Sequence, residues 1–365
     1  MPAANRAPNA AAPARVTLKD VAAASGLSVG TVSDIVNRGL ADRYAEATQK
    51  KVASLIAEMG YRPARAAQDL RRGRSFGVGV VMVHGFENPF YARLYGRLQA
   101  ELLARGLTAE LIVLASVEAG ALREAAGRLS GRGVDGLVVG PVYPWDKAVL
   151  GELRALTASG LPVTPFGAIG HLPKVGGVAM DDDAGGAAAA GFLLARGHER
   201  IAFLGAYPPA DARLGRGSVQ QGFSRVLSEA GLQRKAWMLP CGDRSSYAES
   251  FEAADAFTRR WIDAPPAARP TAVLAKTDQI AIPLLSALHL RGVAVPGDVS
   301  VMGYDNVPES GYTVPALTTV DNGIDARCAA IAASTAERLG LGSGDPLPAP
   351  AAPRLIERAS VRTLA

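Results

Sequence analysis

From Phe76 to its C-terminus the chain alternates short apolar runs with longer stretches of helical periodicity, and this alternation sharply limits the possible folds. The apolar runs have the length of buried strands, and the segments near residues 90–105, 117–132 and 146–159 fit one helix each. Parallel strands need such crossovers, whereas antiparallel strands can be joined by tight turns. We therefore predict an α/β body with two parallel sheets and right-handed crossovers. The predicted strands are FGVGVVMV, ELIVLA, DGLVVGPV, LPVTPFGA, IAFLGAY, WMLPCG, AVLAKT and DVSVMGYD.

The positive charge of the chain lies in its first fifth. Residues 1–75 contain 12 Lys/Arg and 6 Asp/Glu, whereas the rest of the 365-residue chain contains 27 and 28. Such an asymmetry indicates a small segment that meets a polyanion and a larger, near-neutral body with another task. A chain of this length is also expected to form more than one domain.

The first 15 residues, MPAANRAPNAAAPAR, lack the apolar core of a signal peptide. No apolar run reaches the length of about 18 residues that a transmembrane helix needs. We predict a disordered tail over residues 1–15 and a cytoplasmic protein. Cys241 and Cys328 fit no metal-ligand spacing, so both are expected to be plain thiols.

Residues 16–62 have the outline of three short helices. Thr17 is a candidate N-cap for LKDVAAASG, which Gly26 ends, and Ser28 can cap a second helix in VGTVSDIVN. A third helix is predicted in AEATQKKVASLIAEMGY. The tight turn around Gly26 is typical of a helix-turn-helix unit, although a generic three-helix bundle has the same outline. The periodicity of the second helix predicts an outward side with Gly30, Ser33, Asp34 and Asn37.

An arginine-rich segment, residues 63–75, precedes the first strand. Pro63 ends the third helix, and a short helical piece ending at Leu70 is followed by Arg71, Arg72 and Arg74. An apolar side chain flanked by arginines suits a hinge helix that lies in the minor groove of DNA and separates a base step. Leu70 is the candidate for that insertion.

These segments resemble one known family. VTLKDVAAASGLSVGTVSDIVNRG and RYAEATQKKVASLIAEMGYRPARAAQDLRRGRS are similar to the DNA-binding headpiece and hinge of the LacI/GalR family of bacterial transcription regulators. ENPFY, ARGHERIAFLG, QQGFSRVLSEAG, PALTTV and RLIERASVR resemble blocks of the family's effector domain, which shares its architecture with periplasmic sugar-binding proteins. The resemblance covers almost the whole chain after residue 15.

The resemblance implies an all-α helix-turn-helix headpiece over residues 16–62, a hinge helix and linker over 63–75, and an effector-binding and dimerisation domain over 76–365. That domain would comprise two Rossmann-like parallel-sheet subdomains of the periplasmic-binding-protein type. The implied function is that of a repressor, dimeric on a pseudo-palindromic DNA operator at the nucleoid and controlled by a small-molecule effector such as a sugar or a related metabolite. A solute-binding protein of the same effector fold is the alternative, but it would need an export signal and no basic headpiece.

The resemblance also assigns site residues. The effector-binding positions are expected to be Phe90, Tyr91, Tyr247 and Asp278. The DNA-binding positions are expected to be Thr17, Ser28, Val29, Gly30, Thr31, Ser33, Asp34, Asn37, Tyr61, Arg65, Ala67 and Leu70.

Two positions of the DNA-binding segment depart from the family pattern, which usually has arginine where Asp34 stands and asparagine where Ala64 stands. Phosphates repel a carboxylate, but Asp can accept a hydrogen bond from the exocyclic amine of cytosine. Asp34 is therefore a candidate specificity residue. In the alternative interpretation it pairs with Arg38 at i,i+4 and contacts no base.

The predicted effector pocket departs further from the family pattern. Val219, Gly167 and Thr277 stand where the family often has arginine, aspartate and asparagine. Because buried arginine and aspartate fix sugar hydroxyls through paired hydrogen bonds, their loss argues against an ordinary sugar pocket. Arg213 or Arg216 could reach the cleft instead, although each is more simply a solvated loop residue.

The sequence offers no basis for catalysis. GxGxxG after a strand, GxxxxGK[ST], GxSxG and HExxH are all absent. Asp181, Asp182 and Asp183 precede a glycine-alanine helix, and capping of that helix is a simpler role for them than metal binding. We therefore expect no enzyme activity, no metal and no cofactor.

Overall fold

The computed structural model describes residues 16–37, 40–61, 74–82, 85–114, 118–142, 147–167, 176–180, 182–206, 217–241, 247–342, 344 and 351–364. The chain divides into two compact units, Met1–Ser75 and Phe76–Ala365. Within the described ranges, no helix is both long and apolar enough to cross a membrane. The predicted tail (1–15), most of the predicted hinge (63–73) and the side chains of Arg38, Ala64, Asp181, Arg213 and Arg216 lie outside the described residues.

The first unit contains three α-helices around a small core. They are α1 (Leu18–Ser25), α2 (Val29–Asn37) and α3 (Glu46–Met59), with a short 3-10 helix at Ala41–Arg43. Gly26, with φ of 70°, ends α1 in the left-handed conformation that glycine adopts without strain. The predicted three helices are confirmed, and their shared core consists of Val21, Ala22, Val32 and Val52.

The second unit begins with a five-stranded parallel sheet. Its strands run in the order β2-β1-β3-β4-β5. They are β1 (Gly77–Met82), β2 (Thr108–Val113), β3 (Gly136–Val142), β4 (Val163–Gly167) and β5 (Val178–Ala179). The connecting helices are α4 (Pro89–Ala104), α5 (Ala119–Gly131) and α6 (Lys147–Ala158).

A second parallel sheet of four strands follows in the order β7-β6-β8-β9. Its strands are β6 (Ile201–Ala206), β7 (Trp237–Pro240), β8 (Ala272–Ala275) and β9 (Ser300–Met302). Its helices are α7 (Asp183–Ala195), α8 (Val219–Glu229), α9 (Tyr247–Asp263) and α10 (Asp278–Leu290). Each of the eight predicted strands overlaps an observed strand, which confirms the α/β body with two parallel sheets.

The chain then crosses back to the first sheet. Strand β10 (Thr319–Asp321) pairs antiparallel with β11 (Arg354–Ile356), and α11 (Ile324–Arg338) lies between them in sequence. Helix α11 packs into the core of the first sheet, where Ile324, Cys328 and Ile331 join Val80. We call the first sheet with α4–α6 and α11 the first lobe, and the second sheet with α7–α10 the second lobe.

Helices α7 and α8 touch backbone to backbone. A Cβ added to Gly222 would lie 1.8 Å from the carbonyl oxygen of Asp183, and one added to Gly186 would lie 2.0 Å from that of Val219. No side chain larger than hydrogen fits at either position without separating the helices. In the block QQGFSRVLSEAG, Gly222 is therefore required by the packing of these two helices.

Candidate nucleic-acid interface and effector site

The N-terminal end of α2 faces solvent. Ser28 Oγ accepts a hydrogen bond from the backbone N–H of Thr31 at 3.0 Å, which confirms Ser28 as the cap of this helix. Ser28, Val29 and Gly30 are exposed, with 43% of the Val29 surface accessible. A helix start with exposed N–H groups and small side chains can approach phosphates and base edges closely.

Asp34 is held by a tyrosine. The Tyr44 hydroxyl donates to Asp34 Oδ2 at 2.9 Å, and this contact raises the pKa of Tyr44. The Thr31 side chain also hydrogen-bonds Tyr44, and Thr31 Oγ1 lies 2.9 Å from Ser28 Oγ. Tyr44, ten residues along the chain, is thus one partner of Asp34, and the predicted partner Arg38 lies outside the described part.

Ser33 is buried, contrary to the prediction from the sequence. Its predicted place was on the outward side of α2, but only 3% of its surface is exposed. Helix α2 contacts both α1 and α3, so two successive residues, Val32 and Ser33, are both covered. A direct contact between the Ser33 side chain and DNA is therefore not supported by this arrangement.

The remaining predicted DNA-binding residues have varied surroundings. Thr17 forms a capping box with Asp20, in which its N–H and hydroxyl each donate to Asp20 Oδ2 at 2.7 Å. Tyr61 is half-buried against the headpiece core. Asn37 is the last residue of α2. The side chains that lie outside the described residues are those of Asn37, Arg65, Ala67 and Leu70.

Two predicted effector residues lie on the first turn of α4, between the lobes. Asn88 caps this helix, since its Oδ1 accepts from the Phe90 N–H at 2.9 Å. The Phe90 and Tyr91 rings meet edge to face at 5.2 Å, and both belong to a cluster that includes Val307 from the second lobe. Tyr247 is the first residue of α9, and its side chain is outside the described residues.

Asp278 has no exposed surface. Its Oδ1 accepts from the Thr319 hydroxyl at 2.6 Å and its Oδ2 from the Val307 N–H at 2.9 Å. Burial raises the pKa of this carboxyl group to about 7. Both oxygens thus have partners in the segment that follows β9. That Asp278 accepts a hydrogen bond from an effector stays a prediction.

A second acidic residue was missed by the sequence reasoning. Asp305 follows β9 with φ of 106°, a conformation that non-glycine residues rarely adopt. It is 6% exposed, it accepts a hydrogen bond from Asn322 Nδ2 at 3.0 Å, and burial raises the pKa of its carboxyl group. Its position in VMGYD, at the carboxyl end of a parallel strand, was the available signal, because ligands bind at that edge.

Among the acidic residues before α7, Asp182 does not cap the helix with its side chain as expected, and Asp181 lies outside the described residues. Asp182 is the N-cap residue, but its side chain makes no capping bond. Its Oδ1 accepts instead from Arg327 Nη2 at 2.6 Å and from the Tyr304 hydroxyl at 2.9 Å. Asp183 pairs with Arg225 at 2.8 Å. Both carboxylates thus form ion pairs with arginines, which offset the cost of their partial burial.

Several buried polar atoms near the lobe junction have no hydrogen-bond partner. They include Asn322 Oδ1, Arg327 Nη1 and Thr277 Oγ1. Buried polar groups are normally satisfied, so water or the polar groups of a ligand can complete the hydrogen bonds of this set. Among the described residues, no group of three or more His, Cys, Asp or Glu side chains is arranged to hold a metal ion.

A cavity lies beside the segment that joins β10 to α11. Its volume is about 320 Å³, enough for a small metabolite. Its lining is largely apolar and also carries charged side chains of both signs. The lining residues are Arg93, Asp321, Gly323, Ile324, Asp325, Ala326, Ala351, Ala352 and Arg354.

Two family models match the chain, one within each of its two units. The model of "Bacterial regulatory proteins, lacI family" matches residues 17–64, and that of a periplasmic binding protein-like domain matches residues 190–361. The HTH-type transcriptional repressor PurR of Yersinia pestis (strain Pestoides F) is 31% identical over 352 residues, which cover 94% of this chain and 96% of that protein. The same repressor from Photobacterium profundum is 30% identical and covers 83% of this chain and 86% of its own length.

Solved structures show the same fold. A lac repressor dimer bound to operator and the anti-inducer ONPF has a TM-score of 0.76 at 23% identity, covering 96% of this chain and 100% of that one. A complex of the transcriptional regulator CelR with cellobiose has a TM-score of 0.64 at 26% identity, covering 95% and 100%. These relatives are transcription regulators and not enzymes. The chain belongs to the LacI family of bacterial regulatory proteins, and it is a DNA-binding transcription regulator of that type.

Proposed function

We propose that the protein is a repressor that binds a pseudo-palindromic operator as a dimer. Its affinity for the operator changes when a small molecule enters the cleft between the lobes. The protein acts on the chromosome, in the cytoplasm. The observation that carries the proposal is the solvent-facing start of α2, capped by Ser28, in the basic first unit of the chain. Two-fold protein symmetry matches two-fold DNA symmetry, so each copy would contact one half-site.

Base contacts are proposed for the exposed start of α2 and for Asp34, in the major groove. Phosphate and minor-groove contacts are proposed for residues outside this helix start. They are Thr17, Asn37, Tyr61, Arg65, Ala67 and Leu70.

The test is selection of a preferred duplex from a random pool, followed by affinity measurements across a salt series. Val29→Ser should change the preferred bases, because Val29 is exposed where α2 begins. Ala53→Ser also adds a hydroxyl to an exposed helical position, on α3, and should leave the preferred bases unchanged. A wild-type protein that shows a salt dependence but favours no duplex would refute the proposed function, since attraction alone carries no sequence information.

For the effector we propose a small polar molecule with several hydroxyl or amide groups, of the sugar or related metabolite type. Phe90 and Tyr91 would form an apolar wall, and Tyr247 a further aromatic contact. Asp305 and Asn322 would accept its hydrogen bonds, and Arg327 would donate one through Nη1, which is buried and unpartnered. The structural neighbour CelR has been solved with cellobiose, which supports this class of ligand.

Calorimetry with a panel of mono- and disaccharides and nucleobases tests the effector proposal. Asp305→Asn should weaken binding of any active compound, whereas Asp263→Asn, at the exposed end of α9, should not. Equal affinity of the wild type and Asp305→Asn for the same compound would exclude Asp305 as a contact.

Dimerisation is proposed to involve the loop after the 3-10 helix Pro308–Gly311. Tyr312 and Val314 in this loop are 85% and 91% exposed, and large apolar side chains exposed together are typical of protein interfaces. Sedimentation of a Tyr312→Ser/Val314→Ser variant should show a shift toward monomer, whereas Ile262→Ser, 38% exposed on α9, should remain dimeric. A double variant that sediments like the wild type would remove this loop from the interface.

A further inference from the structure

Tyr44 is a headpiece residue to which none of the proposed DNA contacts assigns a role. It follows the 3-10 helix Ala41–Arg43 and precedes α3, in a connection that the helical periodicity of the sequence left unassigned. The backbone N–H of Tyr44 donates to the carbonyl oxygen of Ala41 at 2.9 Å, and its own carbonyl accepts from Gln49 Nε2 at 2.9 Å. Both ends of the residue are therefore anchored, and the ring is directed back toward α2.

The Tyr44 hydroxyl joins side chains that lie along one face of α2. It donates to Asp34 Oδ2 at 2.9 Å and is hydrogen-bonded by the Thr31 side chain. Thr31 in turn lies 2.9 Å from Ser28 through their hydroxyl oxygens. Because residues three and four apart are neighbours on a helix, Asp34 lies one turn beyond the exposed Gly30, on the same face. The phenol thus fixes a carboxylate next to the part of α2 that is open to DNA.

A carboxylate at this place needs such a support. DNA phosphates repel it, so a less firmly oriented Asp34 carboxylate would turn away from the duplex and lose preference among bases. A hydrogen bond from a phenol to a carboxylate is charge-assisted and fixes the direction of the carboxylate oxygens. Base recognition by a carboxylate depends on that direction, because a hydrogen bond distinguishes base pairs by the positions of their donors and acceptors.

We propose that Tyr44 is a specificity-determining positioning residue: its hydroxyl holds Asp34 in the orientation that accepts a hydrogen bond from the exocyclic amine of cytosine in the major groove. The inference rests on the proposed base contacts of α2. It assigns the effect to one base-pair position of each half-site. Tyr44 itself acts through Asp34 and contacts no base.

The experiment uses the full-length protein, its selected duplex and all single-base-pair variants of that duplex. Tyr44→Phe keeps the ring and removes only the hydroxyl. We expect it to reduce the preference for cytosine at one position by about tenfold, on the scale of a single base contact, with the preferences elsewhere unchanged. Asp34→Asn should reduce the preference at the same position. The double variant should resemble Asp34→Asn alone, because the hydroxyl has no effect without the carboxylate that it orients.

Two outcomes would overturn the inference. If Tyr44→Phe weakens every duplex by the same factor, the hydroxyl stabilises the headpiece and orients nothing. If Asp34→Asn changes no base preference, Tyr44 has no specificity residue to position. A wild-type protein without any preferred duplex would instead contradict the proposed function itself, so the two failures are distinguishable. Thermal unfolding of Tyr44→Phe, measured alongside, should match that of the wild type within a few degrees.

Discussion

Arg327 and Asp182 form an ion pair between the two lobes, with Nη2 and Oδ1 2.6 Å apart. Arg327 belongs to α11, which packs into the first lobe, and Asp182 stands at the start of α7 in the second. The Tyr304 hydroxyl shares the same carboxylate oxygen. Arg327 is only 7% exposed, so the pair exists where water screens it little.

Replacing Arg327 with Met should destabilise the effector domain. The change leaves Asp182 without its cationic partner in a partly buried site, and breaking such a pair costs about 3 kcal/mol. Urea unfolding measures the loss. An Asp182→Asn/Arg327→Met variant, which leaves no uncompensated charge, should recover most of it, and a single variant as stable as wild type would contradict the role given to this pair.

The pH dependence of stability should show the raised pKa of Asp278. The folded protein holds a proton there up to a pKa of about 7, whereas the unfolded chain releases it near 3.8. The contribution of this group is therefore largest below the unfolded value and declines as pH rises from about 4 to about 7. Urea unfolding of the wild type and of Asp278→Asn over that range measures this. The free energy of unfolding of the wild type, relative to that of Asp278→Asn, should fall as pH rises. A constant difference would mean that Asp278 ionises normally.

Gly222→Ala should separate α7 from α8. Its Cβ would lie 1.8 Å from a backbone oxygen, which cannot rotate away as a side chain can. Overpacking of this kind costs about 1–3 kcal/mol. Gly191→Ala is the matched control, since a Cβ there meets no atom within 4 Å, and it should stabilise the helix slightly. Similar thermal unfolding of both variants would show that the close helix contact is unimportant.

Thr17→Ala should loosen the first helix of the headpiece. The substitution removes the two hydrogen bonds of the Thr17 hydroxyl with Asp20 and leaves the backbone N–H bond to the Asp20 carboxylate, and an N-cap of this kind contributes about 1 kcal/mol. Hydrogen exchange of the α1 amides in the intact protein should become several-fold faster. Thr17→Ser keeps the hydroxyl and should restore the protection. If exchange does not change in Thr17→Ala, Thr17 does not act as a cap.

The features that the sequence predicted well are those set by neighbouring residues. Thr17 and Gly26 bound α1 because caps act within a few residues, and the apolar runs became strands because burial selects them. Ser33 was misplaced because periodicity gives the direction of a side chain but not how many neighbouring helices cover it. The cover comes from both α1 and α3.

The features that the sequence did not predict depend on distant residues. Asp182 pairs with Arg327, which is 145 residues away in sequence. Capping rules consider only neighbouring residues, so they do not predict this pair. Asp278 and Asp305 both follow strands, so the sequence does not distinguish them. The structure does, because Asp278 accepts hydrogen bonds from Thr319 and Val307, whereas Asp305 has a positive φ. The contact of Tyr44 with Asp34 crosses a connection without any periodic pattern.

The headpiece has a core of its own, built from Val21, Ala22, Val32 and Val52, and none of these residues belongs to the clusters of the larger unit. Mutations that alter which DNA is recognised can therefore accumulate without disturbing the interior that senses the metabolite. Descendants of such a gene can acquire new targets while they keep an old signal, or answer a new signal at an old target, and natural selection can act on the two properties one at a time.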